Sequence, residues 1–287
     1  MNLPSESHSD SDSDFDAEAR EAAAAVSRDA TAFLERCLAT QTETVQRYPW
    51  REQQVWVKRA VPGRPRWAFW LLGMVASAAR LPALEPVYNP GGEQSVRTEA
   101  RRLRELAARG LRVPPVLAEL PGGFLMEDLG RPGVQTYSLA EEMRENAAAH
   151  PAQVLELFGQ GLEATGRVHA VGTCLRQAFA RNMVRCPDGV IGYVDFEDDP
   201  LASLPMAQCQ LRDILCYLYS SAVYLQETGQ LEAGRARWQR WLATRNAAVQ
   251  GLLAQSAQRM RWVRWLPMDR RWGRDLQRVR AAWALIV

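Results

Sequence analysis

Along the first half of the chain, apolar positions switch between helical and strand spacing; along the second half they keep helical spacing almost throughout. Residues 17–46 are Ala-rich, with Leu34, Cys37 and Leu38 on one helical face, and predict a helix that Pro49 ends. Residues 53–60 read as a short strand around Val55-Trp56-Val57-Lys58. The thirteen residues 67–79 carry no charge and begin with Trp67. A bilayer span needs about 20 residues, so this segment predicts a buried helix or one lying in a membrane interface. Pro86 to Gly92 is a loop, and residues 93–109 form a helix with Glu99, Leu103 and Leu106 on one face, closed by Gly110. Pro114 and Pro115 break the pattern. Residues 116–120 and 123–127 then read as two strands joined at a Pro-Gly-Gly turn. Residues 138–171 are helical in two pieces divided near Pro151, residues 189–194 form an apolar strand ending at Asp195, and from Ala207 onward the chain is nearly all helix.

This order predicts an α+β fold, mixed in the first half and helical in the second. With 287 residues, 47% of them hydrophobic, the chain has room for one large domain or two lobes. Residues 1–16 alternate Ser with Asp and Glu and predict a disordered acidic tail; without a basic start and an apolar run it is not a signal peptide. A formal net charge of +2 does not mark a bulk nucleic-acid binder. The five cysteines are scattered without a CxxC pair, so neither a zinc site nor a disulfide framework is indicated, as suits a reducing cytoplasm. Toward the C-terminus Arg-Trp pairs recur: Arg237-Trp238, Arg240-Trp241, Arg261-Trp262, Arg264-Trp265 and Arg271-Trp272. They fit a helical lobe with Trp inside and Arg outside, an anionic lipid surface or, less well, single-stranded nucleic acid.

Lys58 is the only lysine among 35 basic residues. Lysine is a compact point charge on a thin stem where arginine is a wide planar fork, so a strand lysine suits a phosphate in a narrow cleft. Phosphoryl transfer from ATP needs such a cation, a carboxylate to hold it, and oxygen ligands for Mg2+. Glu99 on the next helix is the candidate for the second. Asn182 in a loop and Asp195 at a strand end are candidates for the third. The Pro187-Asp188-Gly189 turn between them predicts a β-hairpin that returns both to one edge. His169 reads as a hydrogen-bonded core histidine.

The order of Lys58, Glu99, Met126-Glu127-Asp128-Leu129, Val168-His169, Asn182 and Val194-Asp195-Phe196 resembles the protein-kinase-like fold over roughly residues 50–225. The segments from Glu99 to Pro114 and from His169 to Asn182 are similar to the atypical bacterial branch, which includes RIO-like and lipopolysaccharide (Kdo-type) kinases. Gln210-Leu-Arg-Asp213 resembles that fold's buried aspartate bracing the catalytic loop. The resemblance implies two lobes, residues 17–128 small and mixed with a helical extension, residues 129–287 larger and mainly helical. It implies an ATP-dependent phosphotransferase in the cytoplasm or at the inner membrane face, acting on a lipid-linked sugar or a protein hydroxyl. Lys58 would hold phosphates, Glu99 would orient Lys58, Glu127 and Leu129 would meet the nucleotide, and Asn182 and Asp195 would bind Mg2+. The departures are specific. Gln177 stands where the family has its aspartate base, Leu175 replaces the loop histidine, Glu197 replaces the glycine after Asp-Phe, and no GxGxxG loop precedes Lys58. Gln177 and the missing glycine loop favour one alternative, a pseudokinase acting as a nucleotide-binding or interaction module; the apolar 67–79 segment and the Arg-Trp helices suit another, a peripheral membrane scaffold.

Overall fold

The structure is a computed structural model that describes residues 10–63, 91–131, 133–134, 136–197, 199–267 and 269–287. The apolar 67–79 segment lies outside the described residues. Within them the fold is mixed α+β, with one four-stranded antiparallel sheet, one two-stranded hairpin and eight α-helices.

The first helix, α1, runs from Asp10 to Thr40, so regular structure begins inside the stretch expected to be a tail and stops short of residue 46. A strand, β1 (Val45–Trp50), takes the place of the expected helix end. It pairs only with β2 (Gln53–Arg59), as an edge strand. Pro49 is tolerated there because an edge strand can spare a ladder N–H. Helix α2 (Gly92–Ala108) comes next, then β3 (Val116–Leu120) and β4 (Gly123–Glu127), in the sheet order β1-β2-β4-β3.

Side chains alternate across a strand, and both sheet faces are used. Val55, Val57 and Leu125 point into a core closed by Ala30, Leu34 and Cys37 of α1. The opposite face carries Phe124 into the main core and leaves Trp56 and Lys58 at a cavity. Helix α2 buries Val96, Glu99, Ala100, Leu103 and Leu106, the i, i+3, i+4 and i+7 stripe of an amphipathic helix.

After β4 the chain is mainly helical: α3 (Leu139–Asn146), α4 (Pro151–Ala170), the hairpin β5 (Met183–Arg185) and β6 (Ile191–Tyr193), then α5 (Met206–Glu227), α6 (Leu231–Ala243), α7 (Ala247–Arg259) and α8 (Arg274–Ile286). Helix α3 starts in a capping box: the Glu141 N–H donates to the Ser138 hydroxyl, and Glu141 returns a carboxylate to the Ser138 N–H. Helices α4 and α5 approach closely at Gly161, where an added Cβ would lie 2.2 Å from the Tyr217 hydroxyl oxygen. That hydroxyl is fixed, donating to the Phe158 carbonyl at 2.7 Å. No described helix is long and apolar enough to cross a membrane.

Candidate functional site

Lys58, one residue before the end of its strand, lies on the cavity face, opposite the buried Val55 and Val57. Its Nζ lies 2.7 Å from Glu99 Oε2, 2.9 Å from Glu197 Oε1 and 3.4 Å from Asp195 Oδ1. The pair with Glu99 is buried, the two side chains being 10% and 3% exposed. Asp195 and Glu197 are 44% and 38% exposed. Burial works against the Lys58 ammonium, but Glu99 first, then Asp195 and Glu197, outweigh it and hold its pKa well above the ordinary value. Burial pushes the Glu99 carboxyl up, and Lys58 pulls it back. Glu99 also accepts the Phe196 N–H at 3.2 Å. One buried carboxylate therefore fixes both the strand lysine and the backbone beside Asp195.

The hairpin brings Asn182 and Asp195 together. The Val194 N–H donates to the Asn182 carbonyl at 3.0 Å, one step beyond the β5–β6 ladder. Asn182 Nδ2 then lies 3.4 Å from Asp195 Oδ2 and 3.4 Å from the Gln177 carbonyl. Asp195 adopts φ +71°, a left-handed conformation that non-glycine residues rarely take, Asp and Asn among the least reluctant.

The loop before Asn182 is held from α5. Asp213, fully buried, accepts the Leu175 N–H at 2.6 Å and lies 3.2 Å from His169 Nε2. Gln210 Nε2 donates to the Thr173 carbonyl and Arg212 Nε to the Arg176 carbonyl. From the other side Arg102 of α2 donates to the Cys174 carbonyl at 2.8 Å. Arg176 is thereby kept at φ +87°. Both contacts fall on Asp213 Oδ2, so His169 and the Leu175 N–H share one buried carboxylate oxygen, and His169 sits in a hydrogen-bonded pair as read from the sequence.

A cavity of about 630 Å³ opens beside Lys58, within the range of small-molecule sites. Trp56, Glu99, Glu127, Leu129, Val184 and Asp195 are among its lining residues. Gln177 is not; it lies five residues before Asn182, which it meets through its carbonyl. At the β4 end the Glu127 N–H bonds to the Pro115 carbonyl and the Asp128 N–H to the Gln54 carbonyl, so the fold itself uses both donors. Burial raises the Glu127 carboxyl above its usual range. Asp128 is spent on the protein: its carboxylate takes the Trp56 Nε1–H at 3.0 Å, Arg47 at 3.0 Å and the Gly130 N–H.

Two contacts escape sequence reasoning. In sequence Glu197 stands out only as a missing glycine, yet it touches Lys58. Trp56 and Asp128 wall the cavity, with Arg47 paired to Asp128 behind them, and strand alternation alone puts Trp56 on the face of Lys58.

Asn182 and Asp195 are hard donors suited to Mg2+, which usually keeps waters and takes one or two protein ligands plus phosphate oxygens. Among the described residues no group of three or more His, Cys, Asp and Glu side chains could hold a metal alone. An ion at this pair would need its remaining ligands from water or a bound molecule. In the present arrangement the Asn182 amide nitrogen faces Asp195, so offering the oxygen to a cation requires that amide to turn over. Comparison with protein-family models and with curated proteins returned no match.

Proposed function

We propose that this chain is an ATP-dependent phosphotransferase with a two-lobed, protein-kinase-like arrangement, working in the cytoplasm where ATP is supplied. The observation that carries the reading is the convergence at one cavity edge of Lys58, its buried partner Glu99, and the Asn182–Asp195 pair. The same four roles recur in protein kinases: a strand lysine on the phosphates, a helix glutamate pairing with it, and an aspartate and an asparagine at the metal.

Lys58 meets the α- and β-phosphates as a point charge, aimed by Glu99. Asn182 and Asp195 would hold Mg2+, which would supply charge neutralisation to the phosphates. Leu129, Val184 and Trp56 enclose the base. Gln177 lies outside the cavity lining, five residues before Asn182, and from there its side chain can orient an acceptor hydroxyl at the cavity mouth but cannot remove its proton. Phosphoryl transfer through a loose transition state depends mainly on positioning and charge, and absence of a general base costs about 10²–10⁴-fold. Turnover is accordingly slow. Glu197 sits 2.9 Å from the Lys58 ammonium and must give way when phosphates arrive. That contact, with Gln177, favours one second reading, a pseudokinase that binds nucleotide without turnover.

Turnover of labelled ATP separates the two. Wild type should turn over slowly, Lys58→Ala should not, and Gln177→Asp should be faster than wild type. Binding without turnover in both wild type and Gln177→Asp would replace the enzyme reading with the pseudokinase.

A further inference from the structure

The Arg-Trp pairs of the C-terminal region fall into two sets. Trp238 and Trp241 are 1% and 5% exposed and stack with ring centroids 5.5 Å apart, so they belong to the core. Trp262, Trp265 and Trp272 are 53%, 77% and 59% exposed. The other exposed large apolar side chains among the described residues are scattered valines. Three exposed tryptophans within eleven residues have no packing role to explain them.

They sit on two short 3-10 turns, Arg261–Trp265 and Arg270–Trp272, both packed against α8. Val263, fully buried between Trp262 and Trp265, pins the first turn so that its rings point outward. Residues 259–274 hold six arginines against one aspartate, while the whole chain carries only +2; Arg271 pairs with Asp269 at 3.3 Å and Arg274 with Glu227 at 2.8 Å, which leaves a smaller positive excess. The Arg264 guanidinium lies 4.8 Å from the centre of the Trp265 ring, and that of Arg271 lies 5.6 Å from the Trp272 ring.

We propose that residues 261–272 form a docking surface for an anionic lipid bilayer. Tryptophan favours the bilayer–water interface, where its ring is apolar and its N–H is wet. Arginine beside it reaches lipid phosphate, and anionic headgroups attract a local excess of positive charge. The same composition serves single-stranded nucleic acid by base stacking, but that mode needs open ring faces. Here Arg264 and Arg271 each occupy one face of Trp265 and Trp272, so at most one face of either ring is left for a base, and a whole-chain charge of only +2 offers no extended track for a phosphate backbone. The surface lies on the outside of the protein without a spanning segment among the described residues, so docking is peripheral and salt-sensitive. The proposal stands whether or not the Lys58 cavity turns over ATP.

The test uses the full chain with vesicles of phosphatidylcholine alone or mixed with phosphatidylglycerol. Sedimentation reports binding, and quenching of Trp fluorescence by lipids brominated on their acyl chains reports insertion. Wild type should bind the phosphatidylglycerol vesicles, lose binding as salt rises, and be quenched. The combined variant Trp262→Ser, Trp265→Ser, Trp272→Ser should melt as wild type does but neither bind nor be quenched. Arg264→Glu and Arg271→Glu should each weaken binding by roughly fivefold or more. Three outcomes would each overturn the proposal: no sedimentation of wild type with anionic vesicles, undiminished binding by the triple serine variant, or tighter binding to an oligothymidylate than to the vesicles.

Discussion

Replacing Lys58 with methionine keeps the length of the side chain and removes its charge. The exposed partners Asp195 and Glu197 return to water, and each exposed pair is worth at most about 1 kcal/mol. Glu99 cannot do so, because its side chain is 3% exposed. Removing one member of a buried pair costs about 3–5 kcal/mol, since the other charge is left uncompensated. Glu99 keeps the Phe196 N–H, which puts the expected loss near the lower figure, about 3 kcal/mol. For a chain of this size that lowers Tm by roughly 6–12 °C. The loss should depend on pH with a defined sign. Burial already raises the Glu99 carboxyl, and without Lys58 it rises further. A carboxyl whose folded pKa lies above its unfolded value, about 4.3, makes the fold most stable below that value, and stability falls as pH rises through the folded pKa. The gap between wild type and Lys58→Met should therefore be smallest at or below about pH 4.3 and widen as pH rises above it. In wild type the raised Lys58 pKa gives a stabilisation that is complete below about pH 10.4 and is lost only as pH climbs through the folded value. Thermal melts followed by circular dichroism at several pH values measure both effects. Adding Glu99→Gln should flatten the pH dependence. A Tm change under about 2 °C, or a gap that does not vary with pH, would show that the Lys58–Glu99 pair does not carry this energy.

Two further substitutions probe the framework of the site. Asp213→Ala should cost about 1.5–3 kcal/mol, because the buried Leu175 N–H loses its charged acceptor, and hydrogen exchange at residues 173–177 should speed up in a variant that still folds. Gly161→Ala should destabilise by about 1–3 kcal/mol despite alanine's better helix propensity, because its Cβ meets the fixed Tyr217 hydroxyl; denaturant midpoints read this directly, and a stabilised variant would contradict the close α4–α5 approach.

Much of this architecture was legible because its signals are local. The stripe of Val96, Glu99, Leu103 and Leu106 announces α2, Pro121-Gly122 marks the turn between β3 and β4, and Pro151 divides α3 from α4. The proximity of Asn182 and Asp195 could be read from the turn at Pro187-Asp188-Gly189, while the approach of Lys58 and Glu99 to them was expected only from the resemblance to the protein-kinase-like fold. Strand β1 was not legible. As an edge strand it exposes alternate residues, among them Val45 and Arg47, so it carries no apolar alternation, and Pro49 reads as a helix stop. The Glu197–Lys58 contact depends on the left-handed turn at Asp195, which no spacing encodes. The Trp56–Asp128 bond joins residues 72 positions apart. The pairs Arg240-Trp241 and Arg264-Trp265 look alike in sequence and differ in tertiary packing, which buries Trp241 and leaves Trp265 in solvent.

In the proposed function the Lys58 cavity holds a nucleotide through Lys58 and through a metal at Asn182 and Asp195. Calorimetric titration of ATP into wild type and Asp195→Ala, each with Mg2+ and with a chelator, addresses that role without needing the acceptor. Asp195 is half-exposed, so its loss should leave the fold intact. Wild type should show saturable binding that requires Mg2+, and Asp195→Ala should show none. Absence of binding to wild type, or binding that neither the chelator nor Asp195→Ala weakens, would contradict a nucleotide site at Lys58.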